Sequence, residues 1–152
     1  MTRPARPAGG EPRSGSPTTT STASPTPPAD CVFCSRLQGE ALLAGNDLAA
    51  GFLAGFPVSP GHVLIVPRRH EGDFFSLSPP EQAAMVALVD PIRRHLDAEF
   101  KPDAYNLGAN IGPAAGQTIR HAHLHVIPRY EGDVEEPRGG VRWVLPQTAR
   151  YW

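Results

Sequence analysis

The feature that most constrains the fold is an alternating stretch in the last third of the chain, HAHLHVIP, at residues 121–128. Successive side chains of a β-strand point to opposite faces, so a strand here places His121, His123 and His125 on one face. The apolar residues between them lie on the other face and belong to a core. We therefore predict a strand with a core on one side and a functional site on the other.

Further segments predict the rest of the sheet and its helices. Residues 47–56 and 62–67 are predicted strands, and the sequence PVSPG between them predicts a hairpin turn. Residues 103–111 and 142–145 predict two more strands, and residues 31–43 a short helix ending near Gly39. Ser78, followed by two prolines and Glu81, predicts the start of the main helix, which Pro91 should kink or end. Strands joined by tight turns with one main helix indicate an antiparallel α+β domain with a sheet of about five strands.

Composition narrows the classes of protein that this chain can represent. Its 152 residues carry a formal net charge of −1, so no basic surplus favours nucleic acid as a partner. We find no signal-peptide core and no apolar run near the roughly 20 residues of a membrane helix, so we expect a cytoplasmic protein without a membrane partner. Residues 1–29 are rich in Pro, Ser and Thr and predict a disordered tail. The folded domain should span residues 30–152.

The histidine strand has a spacing that suits phosphorus chemistry better than a shared metal. His121 and His125 are roughly 13 Å apart along a strand, which is too far for one zinc ion to bind all three histidines. The preceding residues 112–118, GPAAGQT, form a small-residue loop that is either a plain turn or an anion-binding concavity. A neutral imidazole attacks phosphorus well, and a flanking imidazole can donate a proton. The pattern supports phosphoryl or nucleotidyl transfer to His123 without a metal.

The two cysteines, Cys31 and Cys34, have C-x-x-C spacing. In a cytosolic chain this spacing indicates a metal half-site or a redox pair more readily than a structural disulfide.

Three stretches together resemble the signature of the histidine-triad (HIT) superfamily: residues 57–67, residues 110–118 and residues 121–129. The resemblance extends from about residue 31 to residue 152. It implies a small HIT-like α+β fold and a homodimer whose sheet continues across two subunits. It also implies a nucleotide substrate, with His123 as the nucleophile, His125 contacting the phosphoryl group and assisting the leaving group, and His62 supporting His125.

The resemblance also implies roles for other residues. The backbone carbonyl of His121 would orient the His123 ring, and the α-phosphate pocket would be lined by His125, Asn110, Gly116, Gln117 and Thr118. Many bacterial relatives hold a structural zinc at positions that here are Cys31, Cys34, His70 and His121; two reduced thiols without metal are the alternative. Ala54 occupies the position where relatives place Asp or Asn against the ribose, which leaves the nucleoside preference open.

The function expected from this resemblance is hydrolysis or transfer at the α-phosphate of dinucleoside polyphosphates or related nucleotidyl adducts, through a nucleotidyl-histidine intermediate. The loop at residues 112–118 resembles that of the dinucleoside polyphosphate-cleaving branch. The alternatives are a purine nucleoside phosphoramidase and a nucleotide-binding regulatory protein with little catalysis. Residues 138–143 either shape the leaving-group side or form a packed terminal strand.

Overall fold

A single antiparallel sheet of five strands, in the order β1-β2-β3-β5-β4, organises the chain. The structure is a computed structural model that describes residues 28–39 and 41–152, so almost all of the predicted tail lies outside the described residues. The strands are β1 (Ala44–Gly45), β2 (Ala49–Leu53), β3 (Val63–Pro67), β4 (Ala104–Gly108) and β5 (Leu124–Arg129). The predicted antiparallel α+β class is confirmed.

Helices cover both faces of this sheet. They are α1 (Val32–Gly39), α2 (Pro79–Ala87), α3 (Val89–Glu99) and the single turn α4 (Pro146–Ala149). On one face, apolar residues of β3, such as Ile65, pack with residues of α2 and α3, such as Met85 and Ile92. On the other face, Leu64 and Phe52 pack with Phe33 of α1. The alternation along β3 therefore separates two cores, and the α1 face is the one that carries the site.

Gly51 lets α3 approach the sheet. A Cβ atom at this position would lie 2.5 Å from Cδ1 of Ile92, which is fully buried. Glycine in a strand often marks such a close approach. The packing of α3 therefore explains why a glycine occupies position 51 in the middle of β2.

The start and the interruption of the main helix follow the predicted signals. The Ser78 hydroxyl accepts a hydrogen bond from the Glu81 N–H, and the Glu81 carboxylate accepts one from the Ser78 N–H at 2.8 Å, which completes a capping box. Pro91 lies in the first turn of α3, where a missing N–H costs little. The helical segment is accordingly divided at Leu88.

Two strand predictions need correction. The histidine strand starts at Leu124 rather than at His121, because the pairing register brings Ala122 opposite Pro67, which has no N–H to donate. The Ala122 N–H donates instead to the Glu71 carbonyl. Residues 142–145 were expected to form a strand, but most of them belong to a 3₁₀ helix, Gly140–Val144, and the fifth strand is β1.

The helices in the described ranges are too short or too polar to span a membrane.

Candidate active site and metal centre

Four of the six histidines meet on the α1 face of the sheet. His62 immediately precedes β3, while His121 and His123 precede β5 and His125 lies within it. The register of the sheet pairs Leu64 with His125, which brings the His62 and His125 rings together. Alternation places the histidines opposite the α2–α3 core, as the sequence predicts.

His62 and His125 form a hydrogen-bonded pair, with 3.0 Å between Nε2 of His62 and Nδ1 of His125. The Val58 backbone N–H donates to Nδ1 of His62 at 3.3 Å, so this nitrogen carries a lone pair. Neutral His62 therefore holds its proton on Nε2 and donates it to His125. Neutral His125 must then hold its own proton on Nε2.

The surroundings of this pair favour its neutral form. Burial lowers the pKa of His62, and positive charge on His123 lowers it further. Burial likewise lowers the pKa of His125 to about 4, with smaller contributions from positive charge on His123 and His62. Both rings are therefore neutral near pH 7, as the tautomer assignment requires.

His123 has the opposite orientation of proton and lone pair. Its Nδ1 lies 2.7 Å from the backbone carbonyl oxygen of His121, which can only accept, so Nδ1 carries the proton. The lone pair of the neutral ring is then on Nε2, the usual arrangement when a carbonyl fixes a histidine tautomer. The ring is buried and packs edge-on against Phe33.

The site thus places a lone pair on Nε2 of His123 near a hydrogen-bond donor, the Nε2–H of His125. The rings of His123 and His125 lie edge to face with centroids 5.0 Å apart. Nε2 of His125 is buried without a hydrogen-bond partner among the described residues. A buried, unpartnered N–H is costly unless a ligand accepts its hydrogen bond. An oxyanion held beside His123 would supply that acceptor.

A cavity of about 640 Å³ opens beside His62 and His125. Asn110 lines it, so the structure brings one of the expected phosphate-binding residues to the histidines. Gln117 lies in a different cavity with His70, and Thr118 lines a third with Cys31. Asn110, Gln117 and Thr118, three of the expected phosphate ligands, therefore line three different cavities.

The loop at residues 112–118 is closed by its own hydrogen bonds. The Gln117 side chain accepts from the Gly112 N–H at 2.8 Å and donates to the carbonyls of Gly72 and Ile119. Gly116 adopts the left-handed conformation with φ of 85°, which glycine tolerates best. Gln117 thus holds the loop, and contact of Gln117, Gly116 and Thr118 with phosphate stays a prediction.

Ala54 is half-buried, and its N–H donates to the His62 carbonyl at 2.8 Å. Its methyl side chain cannot hydrogen-bond to a ribose hydroxyl. The consequence of this for the nucleoside preference stays a prediction.

The expected metal ligands form a cluster at the other side of the histidine segment. Ligand atoms of Cys31, Cys34, His70 and His121 all lie within 4.8 Å of one another. Nδ1 of His121 is 3.5 Å from Sγ of Cys31 and 3.6 Å from Sγ of Cys34, and Nδ1 of His70 is 3.3 Å from Sγ of Cys34. Four soft or borderline ligands at this spacing suit a tetrahedral zinc ion.

Backbone contacts prepare His121 for a metal. Its Nε2 donates to the Pro67 carbonyl at 2.9 Å, so the lone pair of the neutral ring is on Nδ1 and faces the two sulfurs. Such a hydrogen bond on the remote nitrogen is typical of metal-bound histidine. Without a metal, burial and the neighbouring Cys31 raise the pKa of Cys34 to about 11.

Sequence reasoning missed several contributors to the site. The Val58 N–H, which fixes the His62 tautomer, belongs to a turn whose side chains give no chemical signal. Phe33 packs against both His121 and His123, and its position two residues after Cys31 was the only available indication. Val144 lines the His125 cavity from a segment predicted as a strand, whereas Val141 falls within residues 138–143, for which a role on the leaving-group side was one of the two alternatives.

Comparisons with known proteins agree with this geometry. The family profile described as the HIT domain matches residues 38–132. An uncharacterised HIT-like protein of Mycoplasma genitalium is 38% identical over 106 residues, covering 68% of this chain and 75% of that protein. Among solved structures, a zinc-bound histidine triad family protein from Mycobacterium smegmatis matches with a TM-score of 0.62 and 35% identity, covering 68% of this chain and 78% of that one.

Two of the relatives are named as hydrolases. The adenylylsulfatase HINT3 of Arabidopsis thaliana is 39% identical over 107 residues, covering 68% of this chain and 54% of that protein. The asymmetrical bis(5'-nucleosyl)-tetraphosphatase of Schizosaccharomyces pombe is 32% identical over 109 residues, covering 72% of this chain and 60% of that protein. The chain thus spans little more than half of each hydrolase.

Proposed function

This chain belongs to the HIT domain family, and from that premise we propose that it is a hydrolase or nucleotidyl transferase acting at the α-phosphorus of nucleotides. The preferred substrates would be dinucleoside polyphosphates, and the intermediate a nucleotidyl group bonded to Nε2 of His123. One relative is named for the hydrolysis of such a dinucleotide and another for that of adenylyl sulfate, so the leaving group varies among relatives.

The proposal rests on the opposite tautomers of two neighbouring rings, those of His123 and His125. His123 presents a lone pair on Nε2, whereas the buried Nε2 of His125 presents a proton. A phosphoryl group between them meets a nucleophile and a hydrogen-bond donor together. A pair of buried histidines kept only for packing would not need an unsatisfied N–H.

The reaction would proceed in two displacements. Nε2 of His123 bonds to the α-phosphorus, and the bond from phosphorus to the leaving group breaks, with its electron pair departing on that group. The N–H of His125 stabilises charge that develops on a phosphoryl or leaving-group oxygen. Water then attacks phosphorus and gives up one proton to the solvent, while the bond from phosphorus to Nε2 breaks and its electron pair returns to His123, which releases the nucleoside monophosphate.

A zinc ion held by Cys31, Cys34, His70 and His121 would supply rigidity rather than chemistry. His121 would bind it through Nδ1, and the same residue's carbonyl orients His123. The cluster would therefore hold in place the His121 carbonyl oxygen, which keeps the His123 proton on Nδ1 and the lone pair on Nε2.

Nucleotide turnover and adduct trapping test the proposal directly. The purified full chain should hydrolyse diadenosine tetraphosphate, adenosine phosphoramidate or adenylyl sulfate, and rapid acid-free quenching should trap a nucleotidyl adduct on His123. His123→Ala should abolish both signals, while circular dichroism shows an unchanged fold. Wild-type rates in this variant on every substrate would contradict the nucleophile assignment.

We also propose a homodimer formed through β4. This strand is at the end of the sheet, its outer edge has no strand beside it among the described residues, and Leu107 on it is 45% exposed. An open strand edge invites pairing with a second chain. Light scattering that gives the mass of a single chain at micromolar concentration would contradict this proposal.

A further inference from the structure

The C-terminal segment, residues 137–152, forms one wall of the cavity beside His62 and His125. Gly140, Val141 and Val144 of this segment line the cavity. Both valines are largely exposed, 58% for Val141 and 77% for Val144. Two largely exposed valines that line a cavity beside His125 are available for contact with a ligand.

The cavity has a distinctive chemical character. None of its lining residues among those that the structure describes carries a carboxylate, ammonium or guanidinium group, and its polar side chains are those of His62, His125, Asn106 and Asn110. The apolar side chains offer flat contact surfaces, and the two asparagines offer hydrogen-bond groups. Its volume of about 640 Å³ falls in the range of roughly 300–1,000 Å³ typical of small-molecule sites.

Asn106 is prepared for hydrogen bonding. Its Oδ1 accepts a hydrogen bond from the Arg129 guanidinium at 2.6 Å, which fixes the orientation of the amide. Its Nδ2 consequently lies on the side of Gly140, 3.4 Å from where a Cβ of that residue would be. One polar donor is therefore held beside the apolar wall.

The wall is braced by contacts within the C-terminal segment. The Arg142 guanidinium donates to the carbonyls of Thr148 and Ala149, both at 2.9 Å. The Trp143 indole N–H donates to the Arg138 carbonyl at 2.8 Å. These bonds hold the 3₁₀ turn that carries both valines, so the wall is formed before a ligand arrives.

The position of the cavity indicates which part of a substrate would enter it. His125 lines the cavity and His123 does not. A substrate attacked by His123 with its leaving group beside His125 would extend that leaving group into the cavity. The uncharged lining suits the distal end of such a group better than a bare terminal phosphate, which would lose its hydration without gaining a cation.

We propose that this cavity is a subsite for the second nucleoside of a dinucleoside polyphosphate, with the base against Val141 and Val144 and within reach of the two asparagine amides. The inference rests on the proposed nucleotidyl transfer and adds the feature that selects the leaving group.

The test compares diadenosine tetraphosphate with adenosine 5'-tetraphosphate, which has the same phosphate chain without the second nucleoside. The double variant V141S/V144S removes apolar contact at two exposed positions. We expect kcat/KM for the dinucleotide to fall by about 10-fold, the effect of losing a few buried methyl groups. The value for adenosine tetraphosphate should stay within about 2-fold of wild type.

A control and a second variant separate the possible outcomes. Val86→Ser, on the exposed side of α2, should change neither value. The conservative double variant V141I/V144I keeps apolar contact at the same two positions, so kcat/KM for the dinucleotide should stay within about 2-fold of wild type. Equal effects of V141S/V144S on both substrates, or none on the dinucleotide, would overturn the subsite. Absence of a His123 adduct with both substrates in wild type would instead overturn the proposed function.

Discussion

Replacing His62 would test whether a chain of hydrogen bonds sets the proton position on His125. In His62→Leu the residue can no longer donate to Nδ1 of His125 across the present 3.0 Å contact. The His125 proton can then move to Nδ1, which leaves a lone pair on Nε2 facing the phosphoryl oxygen. In His62→Gln the side-chain amide can still donate, so the tautomer should be retained.

The size of the effect follows from the value of one hydrogen bond. A net contribution of about 0.5–1.5 kcal/mol corresponds to a change of roughly 2- to 13-fold in the ratio of the two tautomers. Loss of the positioned donor adds to this change, because one preorganised hydrogen-bond donor to charge that develops in the transition state contributes about 10²–10³-fold. We expect kcat to fall by about 10- to 100-fold in His62→Leu and by less than about 5-fold in His62→Gln.

The assay combines kinetics with nitrogen NMR. Long-range ¹H–¹⁵N spectra of histidine-labelled protein report which nitrogen of His125 carries the proton, independently of turnover. His95→Leu, an exposed substitution on α3, controls for the loss of a histidine. If His62→Leu left the His125 nitrogen shifts and kcat at wild-type values, or if the Gln and Leu variants lost activity equally, the tautomer argument would be wrong.

Three further predictions concern stability and the metal. The pKa values of His62 and His125 are lowered in the folded chain, that of His125 to about 4. Between about pH 6.5 and pH 4 the unfolded chain therefore binds protons that the folded chain does not, so the free energy of unfolding should fall as the pH drops through this range. Urea titrations with a constant midpoint across that window would contradict this. Glu81→Gln weakens the capping box and the ion pair with Arg69, so it should lower the free energy of unfolding by about 1–3 kcal/mol. The control Glu99→Gln should change the free energy of unfolding by less than about 0.5 kcal/mol. Equal urea midpoints for the two variants would refute the role of the cap. Purified protein should contain one zinc per chain by elemental analysis, and Cys34→Ala or a strong chelator should remove the metal and lower Tm; a metal-free wild type of unchanged Tm would exclude a structural zinc.

Local signals predicted the parts of the fold that depend on local geometry. The capping box at Ser78 and the division of the helix before Pro91 follow from groups within a few residues of each other. The alternation along residues 121–126 predicted which face of the sheet would carry the histidines. These features need no knowledge of distant partners.

The errors arise where a distant or backbone partner decides the structure. The histidine strand begins late because Pro67, more than fifty residues earlier, cannot pair with Ala122. The terminal strand was wrong because Arg142 bonds to carbonyls within its own segment rather than to a sheet edge. The hydrogen bond from the Val58 N–H to His62 could not be predicted, because almost every residue type has a backbone N–H.

His121 contacts two sites at once, because its ring lies beside the two sulfurs and its carbonyl accepts a hydrogen bond from Nδ1 of His123. A reagent that alkylates or oxidises Cys31 or Cys34 would therefore displace His123 through His121, although the reagent itself never enters the cavity. Inactivation by thiol chemistry in this protein need not mean that a cysteine takes part in catalysis. It would instead mean that the His121 carbonyl, which orients the His123 ring, has moved.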